Sequence, residues 1–335
     1  MTADVLCTLD LPEPFSTLVS ARAALRALGR LPGSAGLADE LRARPVDVLC
    51  PQLRDAIDAA VLDSGLPRLR CVSVYAVGYD SVDIDAATAR GIVVGHTPGV
   101  LTDAVADCTV GLMLAAARRL CEGDRELRAG RYTGWEPTYL LGMEMRDAVL
   151  GIIGFGRIGQ AVARRALSFS MRIVYFDTTD PAIADDVREA AQQVSLDELL
   201  READVVSVHT PLTPETHHLI DADALRSMKP TAVLVNTARG SVVDEVALVR
   251  ALSEHWIAAA GLDVYENEPQ LAPGLAECSN AVLAPHLGSA TVSTRAAMAD
   301  LCARNALDAI AGRLPRHCVN PEAWARASPP PLTAS

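Results

Sequence analysis

The chain has 335 residues, half of them apolar and 4% aromatic, with a formal net charge of −12 at pH 7. That length is too great for one small core and suits two domains with aliphatic interiors. The negative balance argues against nucleic acid as a partner. No apolar run approaches the roughly 20 residues of a membrane span, and Met1–Leu11 lacks the charged and apolar regions of a secretory signal. The eight cysteines stand singly, without a C-x-x-C pair. They read as reduced thiols of a cytoplasmic protein. The seven histidines show no metal spacing. His217 and His218 are adjacent and would point to different sides in any regular element, so no metal site is expected.

Val46–Cys50, Leu69–Val74 and Ile92–Val94 are short apolar runs bounded by Pro, Gly or Asp, and they predict strands. Helix-like stretches, Ala21–Leu28 and Asp55–Leu62, precede the first and the second of these runs. Strand alternating with helix implies a parallel sheet covered on both faces. Thr97-Pro98-Gly99 breaks the pattern. A long helix is expected from Thr102 to about Leu120, with Thr102 or Asp103 near its N-cap. Gly123 to Arg146 is polar and glycine-containing and reads as an extended arm. Its Trp135 and Tyr139 lie outside any periodic element, which favours a dimer contact over a plain surface loop.

The alternation restarts at Val149. Strands are predicted at Val149–Ile153, Arg172–Phe176, Val205–His209, Ala232–Asn236, Ala258–Asp263 and Ala281–Ala284, the six of a full dinucleotide-binding sheet. A helix from about Thr291 to Ala311 should lead back to the first domain. The expected fold is α/β with two doubly wound parallel-sheet domains. These are a flavodoxin-like substrate domain (1–100 and 289–328) and a Rossmann NAD-binding domain (101–288), with a flexible tail at 329–335.

Gly154, Gly156 and Gly159 form G-x-G-x-x-G between an apolar strand and a helical stretch. The first glycine permits the tight turn, the second lets a pyrophosphate approach the backbone, and the third lets helix pack on strand. Free N–H groups at the helix start favour phosphate. Asp177 ends the next strand. Its carboxylate can accept hydrogen bonds from the adenosine ribose and would repel a 2′-phosphate. Thr178 and Thr179 follow, with no arginine to bind that phosphate, so NAD(H) is expected over NADP(H). The plainer reading of Asp177 is a turn cap.

Three motifs follow: Asn236-Thr237-Ala238-Arg239-Gly240, Gly261-Leu262-Asp263 through Glu268-Pro269, and Pro285-His286-Leu287-Gly288. Singly, an Arg-Gly is a surface turn, a Glu-Pro is solvated and a lone histidine is structural. Together, at successive strand ends after a nucleotide fingerprint, they suit reduction of a 2-keto acid. Arg239 would grip the substrate carboxylate with its planar fork. His286 would protonate the carbonyl oxygen as hydride arrives. Glu268 would raise the imidazole pKa and orient the ring. Asp263 ends a strand and could bond a nicotinamide carboxamide, and Thr210-Pro211 could line the adenine side. The expected cofactor contacts are Gly154, Gly156, Arg157, Ile158, Gly159, Asp177, Thr210, Pro211, Thr237, Ala238, Asp263 and Gly288. In the first domain, the N–H groups of Val77 and Gly78 could approach a carboxylate.

These motifs resemble the D-isomer-specific 2-hydroxyacid dehydrogenase family from about Val46 to Asn320. Val77-Gly78-Tyr79-Asp80 looks like its substrate loop, and Thr97–Thr102 with Ala104–Arg119 resembles its interdomain helix. The resemblance implies Arg239, Glu268 and His286 as the catalytic set. It also implies a homodimer and a small 2-keto or 2-hydroxy acid bound between the two domains. Trp135–Gly142, Gly288–Thr291, Arg295–Ala299 and Val319–Glu322 are most similar to glyoxylate/hydroxypyruvate reductases within it. By that likeness Leu53 faces substrate, alongside Val77, Gly78, Arg239 and His286, and Trp135 reaches across the dimer. Ser168-Phe169-Ser170-Met171 and His96 depart from the family's usual residues, in ways expected to touch helix packing more than chemistry. Two rivals share the scaffold: oxidation of phosphite or formate, and an NADH-sensing corepressor-like protein.

Overall fold

The computed structural model describes residues 3–327, and the tail expected at 329–335 lies outside them. The chain forms two compact units. One runs up to Leu101 and resumes at Thr291; the other is Thr102–Ala290.

The first unit holds a five-stranded parallel sheet of β1 (Asp4–Cys7), β2 (Ala24–Ala27), β3 (Val48–Cys50), β4 (Cys71–Ser73) and β5 (Val93–Gly95), in the order β2-β1-β3-β4-β5. Every residue of β3, β4 and β5 is buried, as strands covered on both faces require. The strand order reverses between β1 and β3, which sets a topological switch point at their carboxyl ends. Asp58 caps the helix Ala59–Gly65 by accepting from Val61 N–H. The helix Val292–Ile310 is capped by Thr291 and packs on β3, β4 and β5. The Ser73 hydroxyl donates to Cys302 O at 2.9 Å.

Two expectations here need correction. Ala21–Leu28 is not a helix; its centre is the edge strand β2, paired in parallel register with β1 from Asp4↔Ala24 to Cys7↔Ala27. Alanine, leucine and arginine favour helix locally, but pairing along a neighbouring strand overrides so weak a preference. The helix expected from Asp55 starts only at Ala59, after the Asp58 cap.

The second unit holds seven parallel strands: β6 (Val149–Ile153), β7 (Arg172–Phe176), β8 (Ala191–Gln193), β9 (Val205–Val208), β10 (Val233–Asn236), β11 (Ala259–Leu262) and β12 (Ala281–Leu283). Their order is β12-β11-β10-β9-β6-β7-β8. The six expected strands are present, with ends shifted by at most one residue. The seventh, β8, is a short polar edge strand that carries no hydrophobic pattern. The helix Thr102–Ala117 ends where Arg119 turns left-handed (φ 53°), and a second helix, Leu120–Arg128, follows. The arm expected from Gly123 therefore begins as helix. None of that helix is buried, so no apolar stripe announces it. Beyond it Trp135 is 82% exposed, and Leu127 and Leu141 are also exposed.

Candidate active site

The glycine turn is built as a phosphate cradle. Gly154 has φ +90°, and a Cβ there would lie 2.8 Å from His209 C and Thr210 N. That closeness sets the Thr210-Pro211 segment against the turn. A Cβ on Gly159 would lie 2.3 Å from Gly154 O, so only glycine lets the helix Arg157–Leu167 pack this close. Gly156 faces open space instead. It offers no capping side chain, which leaves the first helical N–H groups, with Arg157 and Ile158, open to an anion. Asp177 stands beside this turn. It accepts from Phe155 N–H at 2.8 Å and from Thr179 N–H and Oγ at 2.9 and 2.7 Å. Burial raises its pKa, but those hydrogen bonds outweigh it and hold the carboxyl below its usual range. The residues present therefore fit a dinucleotide, and Asp177 fixes a negative charge beside the turn.

Arg239, Glu268 and His286 follow β10, β11 and β12 and are half-buried. Glu268 is 3.0 and 3.2 Å from His286 Nδ1 through its two oxygens. A carboxylate only accepts, so Nδ1 carries the proton and Nε2 is the nitrogen left for chemistry. Tyr265 N–H donates to Glu268 at 3.1 Å, and Arg239 acts on the same carboxylate through its charge. The Arg239 turn is locked from within. Buried Asn236 accepts from Ala238 N–H at 3.0 Å and donates to Arg239 O at 2.8 Å. Thr237 Oγ meets the buried Thr109 Oγ at 2.8 Å. A Cβ on Gly240 would lie 1.9 Å from Tyr265 C, so the arginine turn and the glutamate loop touch backbone to backbone. Buried Glu245 holds that loop from behind, accepting from Glu266 N–H at 2.7 Å. Burial raises its pKa.

His286 sits in the left-handed region (φ +55°), where a non-glycine residue costs energy and must be held. Asp263 holds it. Its carbonyl accepts from His286 N–H at 2.9 Å. Its carboxylate accepts from Leu287 and Gly288 N–H at 2.6 and 2.7 Å. Desolvation raises the Asp263 pKa against those two donors. The structure thus gives Asp263 a second task besides the cofactor contact expected of it.

Leu53, Val77 and Gly78 lie in the first unit, after β3 and β4, and are half-buried. Asp55 accepts from the buried Thr8 hydroxyl at 2.5 Å and from Gln52 N–H at 2.8 Å, which fixes the turn carrying Leu53. His96 Nδ1 is 2.8 Å from Val77 O. It therefore bears on the Val77-Gly78 turn through its side chain, as well as on the helix Val292–Ile310 through its carbonyl. Sequence reasoning also missed Thr109 and Asn236. The one available signal was a polar residue ending the apolar run Val233–Asn236.

The expectation that His217 and His218 point apart is overturned. They lie in a turn with His218 at φ +52°, and their rings stack at 4.0 Å and 26°. Glu266 lies 2.8 Å from His218 Nε2, so three potential ligands gather here. Their ligand atoms all lie within 4.8 Å of one another, where no metal site was expected.

A model of the D-isomer specific 2-hydroxyacid dehydrogenase NAD-binding domain matches residues 110–288. The chain is 46% identical over 293 residues to a glyoxylate reductase of Thermococcus litoralis, covering 86% of this chain and 88% of that one. It is 50% identical over 285 residues to a glyoxylate reductase of Thermococcus kodakarensis, covering 84% and 85%. Among solved structures it is similar to a glyoxylate reductase from Paecilomyes thermophila (33% identity, TM-score 0.84, 95% and 98% covered). It is also similar to an NADPH-dependent glyoxylate/hydroxypyruvate reductase from Sinorhizobium meliloti, solved with NADP and malonate (33% identity, TM-score 0.85, 96% and 98% covered). The chain belongs to the D-isomer specific 2-hydroxyacid dehydrogenase family.

Proposed function

We propose that this D-2-hydroxyacid dehydrogenase reduces glyoxylate to glycolate and hydroxypyruvate to D-glycerate, with NADH preferred over NADPH. The observation that carries the reading is the His286 Nδ1 pair with Glu268 at 3.0 Å. It holds a proton-bearing imidazole at a strand end with Nε2 left for a substrate oxygen. Hydride reaching the keto carbon leaves negative charge on that oxygen, and His286 Nε2–H donates to it as the bond forms. Glu268 then stabilises the imidazole in its correct orientation. Arg239, held by Asn236 and Gly240, presents its fork to the carboxylate. In the first unit, Leu53, Val77 and Gly78 are the proposed substrate contacts. A reduced nicotinamide dinucleotide, its pyrophosphate held at the glycine turn, would supply the hydride. Asp177, ionised at neutral pH, favours ribose hydroxyls and disfavours a 2′-phosphate. We also assign the exposed apolar side chains of Leu127, Trp135 and Leu141 to a homodimer contact.

Loss of NADH absorbance with glyoxylate or hydroxypyruvate tests this, with NADPH in parallel. His286→Ala should lower kcat by about a hundredfold or more and leave the NADH Kd within about twofold. Near wild-type turnover in that variant would sink the assignment of the acid. Silence of the wild type on both acids would sink the substrate class.

A further inference from the structure

We infer that His96 is a positioning residue for substrate, acting through the Val77-Gly78 peptide; this rests on the proposed contact of that turn with the keto-acid carboxylate. Val77 O and Gly78 N–H belong to one planar peptide unit. A carbonyl only accepts, so the 2.8 Å contact fixes the proton on His96 Nδ1. That bond acts twice. It pins the plane of the peptide and so the direction of Gly78 N–H. It also polarises the amide, strengthening Gly78 N–H as a donor to an anion.

His96 is itself built in. Its N–H donates to His317 O at 3.1 Å. Its carbonyl accepts from Nδ2 of the buried Asn305 at 2.9 Å. A Cβ on the preceding Gly95 would lie 3.0 Å from the Asn305 side chain, so glycine there permits the approach. On the other side, the Tyr79 ring meets the His96 ring edge-on with centroids 5.5 Å apart, leaving the imidazole one orientation. All of these contacts lie within the first unit. A side chain held by Val77 O and the Tyr79 ring, on a backbone anchored at His317 and Asn305, with its donor on a peptide whose N–H is proposed to face substrate, acts on KM rather than on the chemical step.

Steady-state kinetics of wild type, His96→Ala and His96→Asn test this. Asparagine keeps a short side-chain N–H donor. His96→Ala should raise KM for glyoxylate, and Ki for the unreactive carboxylate oxamate, by about tenfold. Its kcat and NADH Kd should stay within about twofold, and His96→Asn should recover most of the loss. An unchanged KM in the alanine variant, or an asparagine variant as impaired as the alanine one, would overturn the inference. A second measurement needs no variant: ¹⁵N NMR of the wild type at alkaline pH should find the neutral ring protonated on Nδ1. A proton on Nε2 alone would overturn the inference as well. A wild type inactive on keto acids fails the proposed function itself, whereas an active wild type with an unmoved KM fails only the role of His96.

Discussion

Glu268 is a carboxylate whose burial raises its pKa but whose His286 hydrogen bond and charge, Tyr265 N–H and Arg239 bring it below 4.5. A depressed folded value means stability that is fully present above the unfolded pKa and lost as pH falls through the folded one. Glu268→Gln is therefore expected to lower Tm relative to wild type at pH 7, with the gap closing below pH 4.5; melts across that range decide it. Asp177 makes a separate prediction. Asp177→Ala should narrow the preference for NADH over NADPH by about tenfold, read as the ratio of kcat/KM for the two cofactors. An unchanged ratio would return Asp177 to a turn cap. The three residues proposed to carry the chemistry stood out as candidates because each follows a strand and adjoins a glycine or proline. Their supports did not, since Thr109 and Thr237 are 128 residues apart and no local pattern pairs them.

The elements divide in the same way, by whether their cause is local. β6 and β7 could be read to the residue because each has an apolar run closed by a glycine or aspartate, Val149–Ile153 before Gly154 and Ile173–Phe176 before Asp177. β2 and β8 could not, because Ala24–Ala27 and Ala191–Gln193 carry no apolar run of their own and owe their conformation to the neighbouring strand. The glycines separate packing from binding. Gly240→Ala should disrupt the contact between the arginine turn and the glutamate loop, lowering both Tm and kcat/KM. Gly156→Ala meets nothing within 4 Å and should melt like the wild type while binding NADH poorly. A normal Kd in that variant would move the phosphates elsewhere. Ser170 occupies the left-handed region at φ +59°, where glycine carries no Cβ penalty. Ser170→Gly should raise stability by about 1 kcal/mol, a gain of roughly 2–4 °C in a calorimetric scan.

At the scale of the whole molecule, the α/β class was legible from the alternation of strand and helix, and the helix Leu120–Arg128 was hidden by its lack of a buried face. That surface predicts a dimer in sedimentation, and Leu127→Glu with Trp135→Ala should shift it toward monomer. A molecule already monomeric would retire that assignment. The first unit is also discontinuous in the chain, which gives its birth on the ribosome an order. At roughly 5–20 residues per second, the second unit takes about 10–40 s to synthesise. Throughout that interval β3, β4 and β5 lack the helix Val292–Ile310 that covers them. The outer edge of β5 also lacks Val319 N–H and the Asn320 side chain, its later partners at Val94 and Ile92. A nascent sheet with a bare apolar face and an open edge invites pairing with another chain. The second unit, continuous in sequence, is complete first, and the part of the first unit up to Leu101 waits with its sheet uncovered until the chain from Thr291 onward arrives.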